Sequence, residues 1–159
     1  MERNMDAPVF RELDRAEIET ILSRNHVGRL GYARRNRIDI EPVHYVFADG
    51  WIYGRTSHGA KYDALAQTAH QWWPVVFEVD EVEDMFRWRS VLVHGGFYVI
   101  PQDGTPPERE AWTTALELLR TLVPGTLREG DPVPFRSVLF RIAVQEVSGR
   151  EAAPGGSAT

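Results

Sequence analysis

Residues 38–61 read Ile-Asp-Ile-Glu-Pro-Val-His-Tyr-Val-Phe-Ala-Asp-Gly-Trp-Ile-Tyr-Gly-Arg-Thr-Ser-His-Gly-Ala-Lys. Two strand patterns flank one tight turn here, and a helix start follows. Ile38 to Phe47 is β-prone but alternates only in part, with Pro42 inside it. Proline donates no ladder hydrogen bond, so that position predicts an edge, a bulge or a ligand-facing break. Ala48-Asp49-Gly50 is a hairpin signal, because Asp-Gly tolerates the positive φ of short hairpins. Trp51 to Arg55 is then the return strand. Thr56-Ser57-His58-Gly59 punctuates the chain, and a short helix is predicted from Ala60 to Gln67, carrying Tyr62, Leu65 and Ala66.

Upstream, Asp14 and Glu17 have the spacing of a capping box, in which each side chain satisfies a free backbone amide of the other. Ile18, Ile21 and Leu22 recur on one face of that helix, and Asn25-His26 ends it. Val27 to Tyr32 is a strand pattern whose Gly28 and Gly31 permit a close neighbour. Downstream, Val75 to Val82 and Ser90 to Ile100 are valine-rich strands, joined across the acidic run Asp80, Glu81, Glu83 and Asp84. Thr105-Pro106-Pro107-Glu108 opens the longest helix, with a capping threonine, a first-turn proline and a glutamate at the third position. Trp112, Ala115, Leu116, Leu119 and Val123 form its apolar stripe, and Pro124-Gly125 stops it. Val138 to Val147 is the last strand. Six strands, mostly joined by hairpins and flanked by helices, predict a mainly β domain, most simply a small antiparallel barrel. Residues 1–9 read as an arm, 10–149 as one domain, and 150–159, with Pro154-Gly155-Gly156-Ser157, as a disordered tail.

Composition removes several functional classes. A length of 159 residues fits one domain. Lys and Arg total 18 against 23 for Asp and Glu, and the net charge of -5 offers nucleic acid no general attraction. With no cysteine, disulfides, iron–sulfur clusters, thiolate zinc sites and cysteine nucleophiles are excluded. No apolar run approaches bilayer length and the first residues do not read as a signal peptide, so a soluble cytoplasmic protein is expected. The five histidines show no metal-ligand spacing, and the acidic run reads as a solvated turn, so no metal site is expected. No Gly-x-Ser-x-Gly elbow is present.

Chemistry concentrates in three places. At the predicted helix start, free amides and the helix dipole favour an anion. Thr56 and Ser57 add hydroxyl donors there, and Arg55 and Lys61 add positive charge. These four form a candidate phosphate cradle, although spacing alone favours Ser57 as a plain N-cap and Lys61 as a surface charge. Along Pro42, Val43, His44 and Tyr45, an interrupted ladder leaves backbone groups that can serve the polar edge of a flat ring; His44 or Tyr45 can instead be simply packed. Trp88 can cover an aromatic ligand and Ser90 can hydrogen-bond it. Arg34, Arg35 and Arg37 can attract an anionic substrate or solvate a hairpin, and the hairpin is favoured.

Taken in order, His26-Val-Gly-Arg-Leu-Gly31, Ile40-Glu-Pro-Val-His-Tyr-Val-Phe47, Asp49-Gly50, Ile52-Tyr-Gly-Arg-Thr-Ser57, Gly59, Lys61, Phe77-Glu-Val-Asp80 and Trp88-Arg-Ser-Val-Leu-Val-His-Gly95 resemble the flavin-binding split-barrel proteins called pyridoxamine 5'-phosphate oxidase-like. The resemblance spans about residues 10–147. It implies a six-stranded antiparallel split β-barrel and a homodimer with flavin mononucleotide (FMN) in the groove between subunits. By that resemblance the phosphate meets Arg55, Thr56, Ser57 and Lys61, the ring lies along Pro42 to Tyr45, and Trp88 and Ser90 supply a ring or ribityl contact. The implied activity is flavin-dependent oxidoreduction of a small molecule; the alternative is a non-catalytic binder or sensor of flavin, deazaflavin or haem. The vitamin B6 oxidase of this superfamily ends with a tryptophan- and arginine-bearing segment where this sequence reads Val147-Ser-Gly-Arg-Glu-Ala-Ala-Pro, and Arg55 replaces the histidine of the nitroimidazole-resistance branch. Both departures argue against those two activities. No catalytic residue stands out, and substrate protons are expected to come from solvent or from Tyr45 or His44.

Overall fold

The computed structural model describes residues 7–59 and 72–155; the predicted helix from Ala60 to Gln67, with Lys61, lies outside the described residues. The elements are β1 (Val9–Glu12), α1 (Arg15–Arg24), β2 (Val27–Arg34), β3 (Arg37–Ala48), β4 (Trp51–Thr56), β5 (Trp73–Asp84), β6 (Arg87–Val99), α2 (Pro106–Leu122) and β7 (Val138–Ala153). Both predicted capping boxes form, Asp14 with Glu17 and Thr105 with Glu108.

All strands pair antiparallel, in the order β1-β7-β4-β3-β2-β5-β6, and β6 also pairs with β7. That last seam closes six strands into a ring, as a split barrel requires, with β1 added along β7. The β3–β4 turn places Asp49 and Gly50 at φ 49° and 79°, which explains the Asp-Gly pair. Arg34 and Arg37 end the strands of the β2–β3 hairpin, with Arg35 at φ 54° in its turn.

Alternation decides what each strand buries. Leu30, Val43, Tyr45, Ile52, Phe77, Val79, Val91, Val93, Phe140 and Ile142 fill the barrel, and α1 adds Ile18, Ile21 and Leu22. Gly28 shows why a side chain is excluded at one point of the wall: a Cβ there would lie 2.1 Å from Phe77 Cζ. A second cluster lies outside the barrel, where Ala111, Ala115 and Leu119 of α2 pack on Val46, Tyr53, Ile100 and Leu139. Among the described residues no helix is long and apolar enough to cross a membrane.

Three sequence expectations need correction. Residues 150–153, assigned to the disordered tail, continue β7, and Val9, assigned to the arm, belongs to β1. Arg11 and Arg89 both bind Glu151, and Ala152 is buried, so the ends are stitched together by contacts that local propensity does not register. The acidic run is the end of β5 rather than a turn, and Glu81 is bound by Arg24 and by Asn25 Nδ2 at 2.8 Å.

Candidate functional site

The barrel opens where β3 changes partners. Arg37 to His44 pair with β2, and only Tyr45 to Ala48 pair with β4. Beyond the Tyr45–Gly54 pair, β4 continues as Arg55 and Thr56 against β7 alone. The two strands therefore diverge into a fork. One prong, residues 37–44 of β3, has an edge with no described strand against it. Pro42 stands on that prong, so the interruption read from the sequence falls on an edge with no described strand against it. The other prong carries Arg55 and Thr56 and leads into Ser57.

The predicted residues divide by alternation. Pro42 and His44 are exposed on the outer surface, whereas Val43 and Tyr45 point into the barrel. Tyr45 is fully buried; its hydroxyl donates to Leu22 O at 2.7 Å, its N–H donates to His26 O at 3.0 Å, and its carbonyl faces His26 Nδ1 at 3.2 Å. Burial raises the phenol far above its ordinary value, with the Glu81 charge adding to it. Tyr45 is thereby withdrawn from any ligand at the surface, whereas His44 is exposed. Tyr45→Phe is expected to cost about 1–2 kcal/mol by leaving the Leu22 carbonyl without its donor. Chemical denaturation would read this, with ligand affinity unchanged; an affinity change at constant stability would return Tyr45 to the site.

Arg55 has an employment the sequence did not reveal. Its side chain is 7% exposed and pairs with Asp131, itself 2% exposed, through NH2 to Oδ2 at 2.6 Å and NH1 to Oδ1 at 3.2 Å. Nε donates to Arg136 O at 2.8 Å and NH2 to Val133 O at 3.1 Å. Asp131 also accepts the N–H groups of Leu127 and Val133 at 2.9 and 3.0 Å. With Arg55 as the largest cause, its carboxyl is held well below the usual carboxylate range. Glu129-Gly130-Asp131-Pro132 carries a turn signal, but nothing in its spacing points to a partner 76 residues earlier.

Trp88 and Ser90 lie elsewhere. Both are on β6, which is three strands from β3 in either direction around the ring. In a ring of six strands this puts β6 on the wall opposite β3. Trp88 packs near Phe10, with ring centroids 6.3 Å apart, and borders a cleft of about 380 Å³ that Arg24, Glu81, Arg89 and Glu151 also line. On β2, between β3 and β5, Arg29 lies 3.5 Å from both Glu78 and Asp80. Burial, then Asp80, raises the Glu78 carboxyl above its ordinary value.

The outer surface across β3, β2 and β5 carries an apolar row beside the charged row of Arg29 and Glu78. Gly31 pairs with Ile40 on one side and Val76 on the other, and Ile38, Ile40 and Val27 are 87%, 68% and 51% exposed. Among the described residues no group of three or more histidine, aspartate or glutamate side chains is arranged to hold a metal.

The family model described as pyridoxamine 5'-phosphate oxidase matches residues 14–151. A crystal structure of an FAD-binding protein from Mesorhizobium loti is 27% identical, covers 91% of this chain and 99% of that one, and superposes with a TM-score of 0.70. A proposed pyridoxamine 5'-phosphate oxidase from Corynebacterium glutamicum is 27% identical over 97% of this chain and 100% of that one, with a TM-score of 0.65. An FAD-binding protein from Mycobacterium smegmatis, 19% identical over 89% and 99%, shares the fold with a TM-score of 0.62. No curated protein resembles the chain closely enough to count as a match.

Proposed function

The chain belongs to the pyridoxamine 5'-phosphate oxidase family, and from that premise we propose that it is a flavoprotein: a homodimer that holds FMN in a cleft shared by two copies and acts as an oxidoreductase on a small molecule. The observation that carries this reading is the fork. It joins a strand edge with no described partner to two hydroxyl residues at the end of the adjacent strand. These features fit a flat ring with a polar rim and a phosphate tail. The FAD-binding protein of Mesorhizobium loti supports a flavin as the ligand class.

When bound, the flavin supplies the two-electron chemistry, and the protein supplies position and electrostatics. The β3 edge that has no described strand against it offers backbone groups to the rim of the ring. His44, exposed beside that edge, is the side chain placed to hold or pass a proton. Thr56, Ser57 and Lys61 take the phosphate, with Arg55 behind them. Trp88 and Ser90 reach the ring from the second copy, because their own ring of strands holds them away from Pro42.

Freshly purified protein is expected to show flavin absorbance, and chromatography of acid-released cofactor should identify FMN. Ser57→Ala is expected to weaken FMN about tenfold, as loss of one hydrogen bond to a charged group would. A colourless protein that stays unoccupied when titrated with FMN would refute the proposal. Oxidation of a nicotinamide donor by the yellow protein would establish the oxidoreductase role, whereas a yellow protein inert to every donor would remove it.

A further inference from the structure

The sequence offers two cations to the cradle, Arg55 and Lys61, yet Asp131 occupies the first of them. Four N–H groups of Arg55 are committed to Asp131 and to the carbonyls of Val133 and Arg136. Asp131 is equally committed, since it accepts from Leu127 and Val133 as well as from Arg55. Neither side chain is open to water, so the pair neither swings out nor is screened away.

Resting on the flavin reading above, we propose that Asp131 is the residue that sets how strongly this site prefers a phosphorylated flavin. Clamped on Arg55, it cancels that positive charge and turns the guanidinium from a phosphate ligand into a fixed post. The post holds the end of β4, one residue before Thr56, against the segment from Leu127 to Arg136. The phosphate then meets the hydroxyl residues at the end of β4 without a free charge from Arg55. Asp131 acts through Arg55 and is a positioning residue. Its charge counts because a phosphate monoester is close to a dianion at neutral pH, and in the partly dry neck of a fork a unit charge is felt over many ångströms.

FMN and riboflavin differ only in the phosphate, so the ratio of their dissociation constants isolates this contribution. Titrations of the full chain would compare wild type, Asp131→Asn, Arg55→Gln and the double variant. Asp131→Asn is expected to tighten FMN by on the order of a hundredfold while riboflavin stays within twofold, the effect of one unit charge on a phosphate dianion roughly 10 Å away at an effective dielectric of about 20. Arg55→Gln, which leaves the Asp131 charge uncancelled, is expected to weaken FMN by about the same factor. The double variant should return to within about threefold of wild type. If Asp131→Asn does not fold alone, the double variant decides, because it leaves no charge of the pair unmatched. Weakened FMN binding in Asp131→Asn would overturn the proposal. So would a double variant as weak as Arg55→Gln, which would make Arg55 a direct ligand. Riboflavin affinity moving as much as FMN affinity would reduce the pair to a structural role. A wild type that binds neither flavin would overturn the flavin reading and this inference with it, an outcome distinct from every other.

Discussion

Phe77→Ala is expected to lower stability by about 3–5 kcal/mol, the range for removing a buried phenyl ring. At this chain length that is a fall in Tm of roughly 10–15 °C. Phe77 is fully buried at the centre of β5 and meets Tyr45 edge-on, with centroids 4.9 Å apart. The ring also fills the space that a side chain at Gly28 would need. Because Gly28 carries no side chain, nothing on that side can relax into the void, which places the loss toward the upper end of the range. Val82→Ala, at a 66% exposed position of the same strand, should change little and serves as the control. Thermal unfolding followed by circular dichroism, together with urea titration, would measure both. A loss below about 1 kcal/mol for Phe77→Ala would mean that the barrel interior is not where the β2–β5 register puts it.

The same contact shows how far sequence reasoning reaches. Gly28 and Gly31 read as points of close approach, and both are: Phe77 fills the space beside one and Val76 the space beside the other. Capping boxes, the Asp-Gly turn and the arginine hairpin are local signals, written within four or five residues, and the structure keeps all of them. What was not legible depends on partners distant in sequence. Residues 150–153 look like a tail because Arg-Glu-Ala-Ala has no strand preference; β1 and β6 on either side make it one. Arg55 reads as an anion ligand until Asp131 arrives from the far side of the chain. Tyr45 reads as available until alternation turns it inward, while His44, one residue earlier, is left outside. Trp88 and Ser90 match the family pattern in sequence order, but order does not state that β6 lies opposite β3.

That opposition makes the second large effect predictable. If the two half-sites meet only when two copies come together, then breaking the contact between copies must also empty the cleft. The surface proposed for that contact is the row Ile40–Gly31–Val76, bordered by Ile38 and Ala33 on one side and by Pro42, Arg29 and Glu78 on the other. These side chains stand on the face that the barrel does not use, and a self-complementary apolar patch is what a two-fold dimer needs. Ile40→Glu puts a charge in the middle of that row. In the monomer this residue is already 68% exposed, so folding stability should shift by no more than about 0.5 kcal/mol. Between copies the same carboxylate is buried without a partner, at a cost of several kcal/mol. The expected result is a folded monomer by analytical ultracentrifugation, with FMN affinity reduced at least about a hundredfold and an unchanged melting curve in the absence of flavin. Loss of dimer and flavin together at constant fold would tie the cofactor to the interface. A dimer that persists with full affinity would mean that the cleft closes over some other face, and a monomer that binds FMN normally would place the whole site within one barrel.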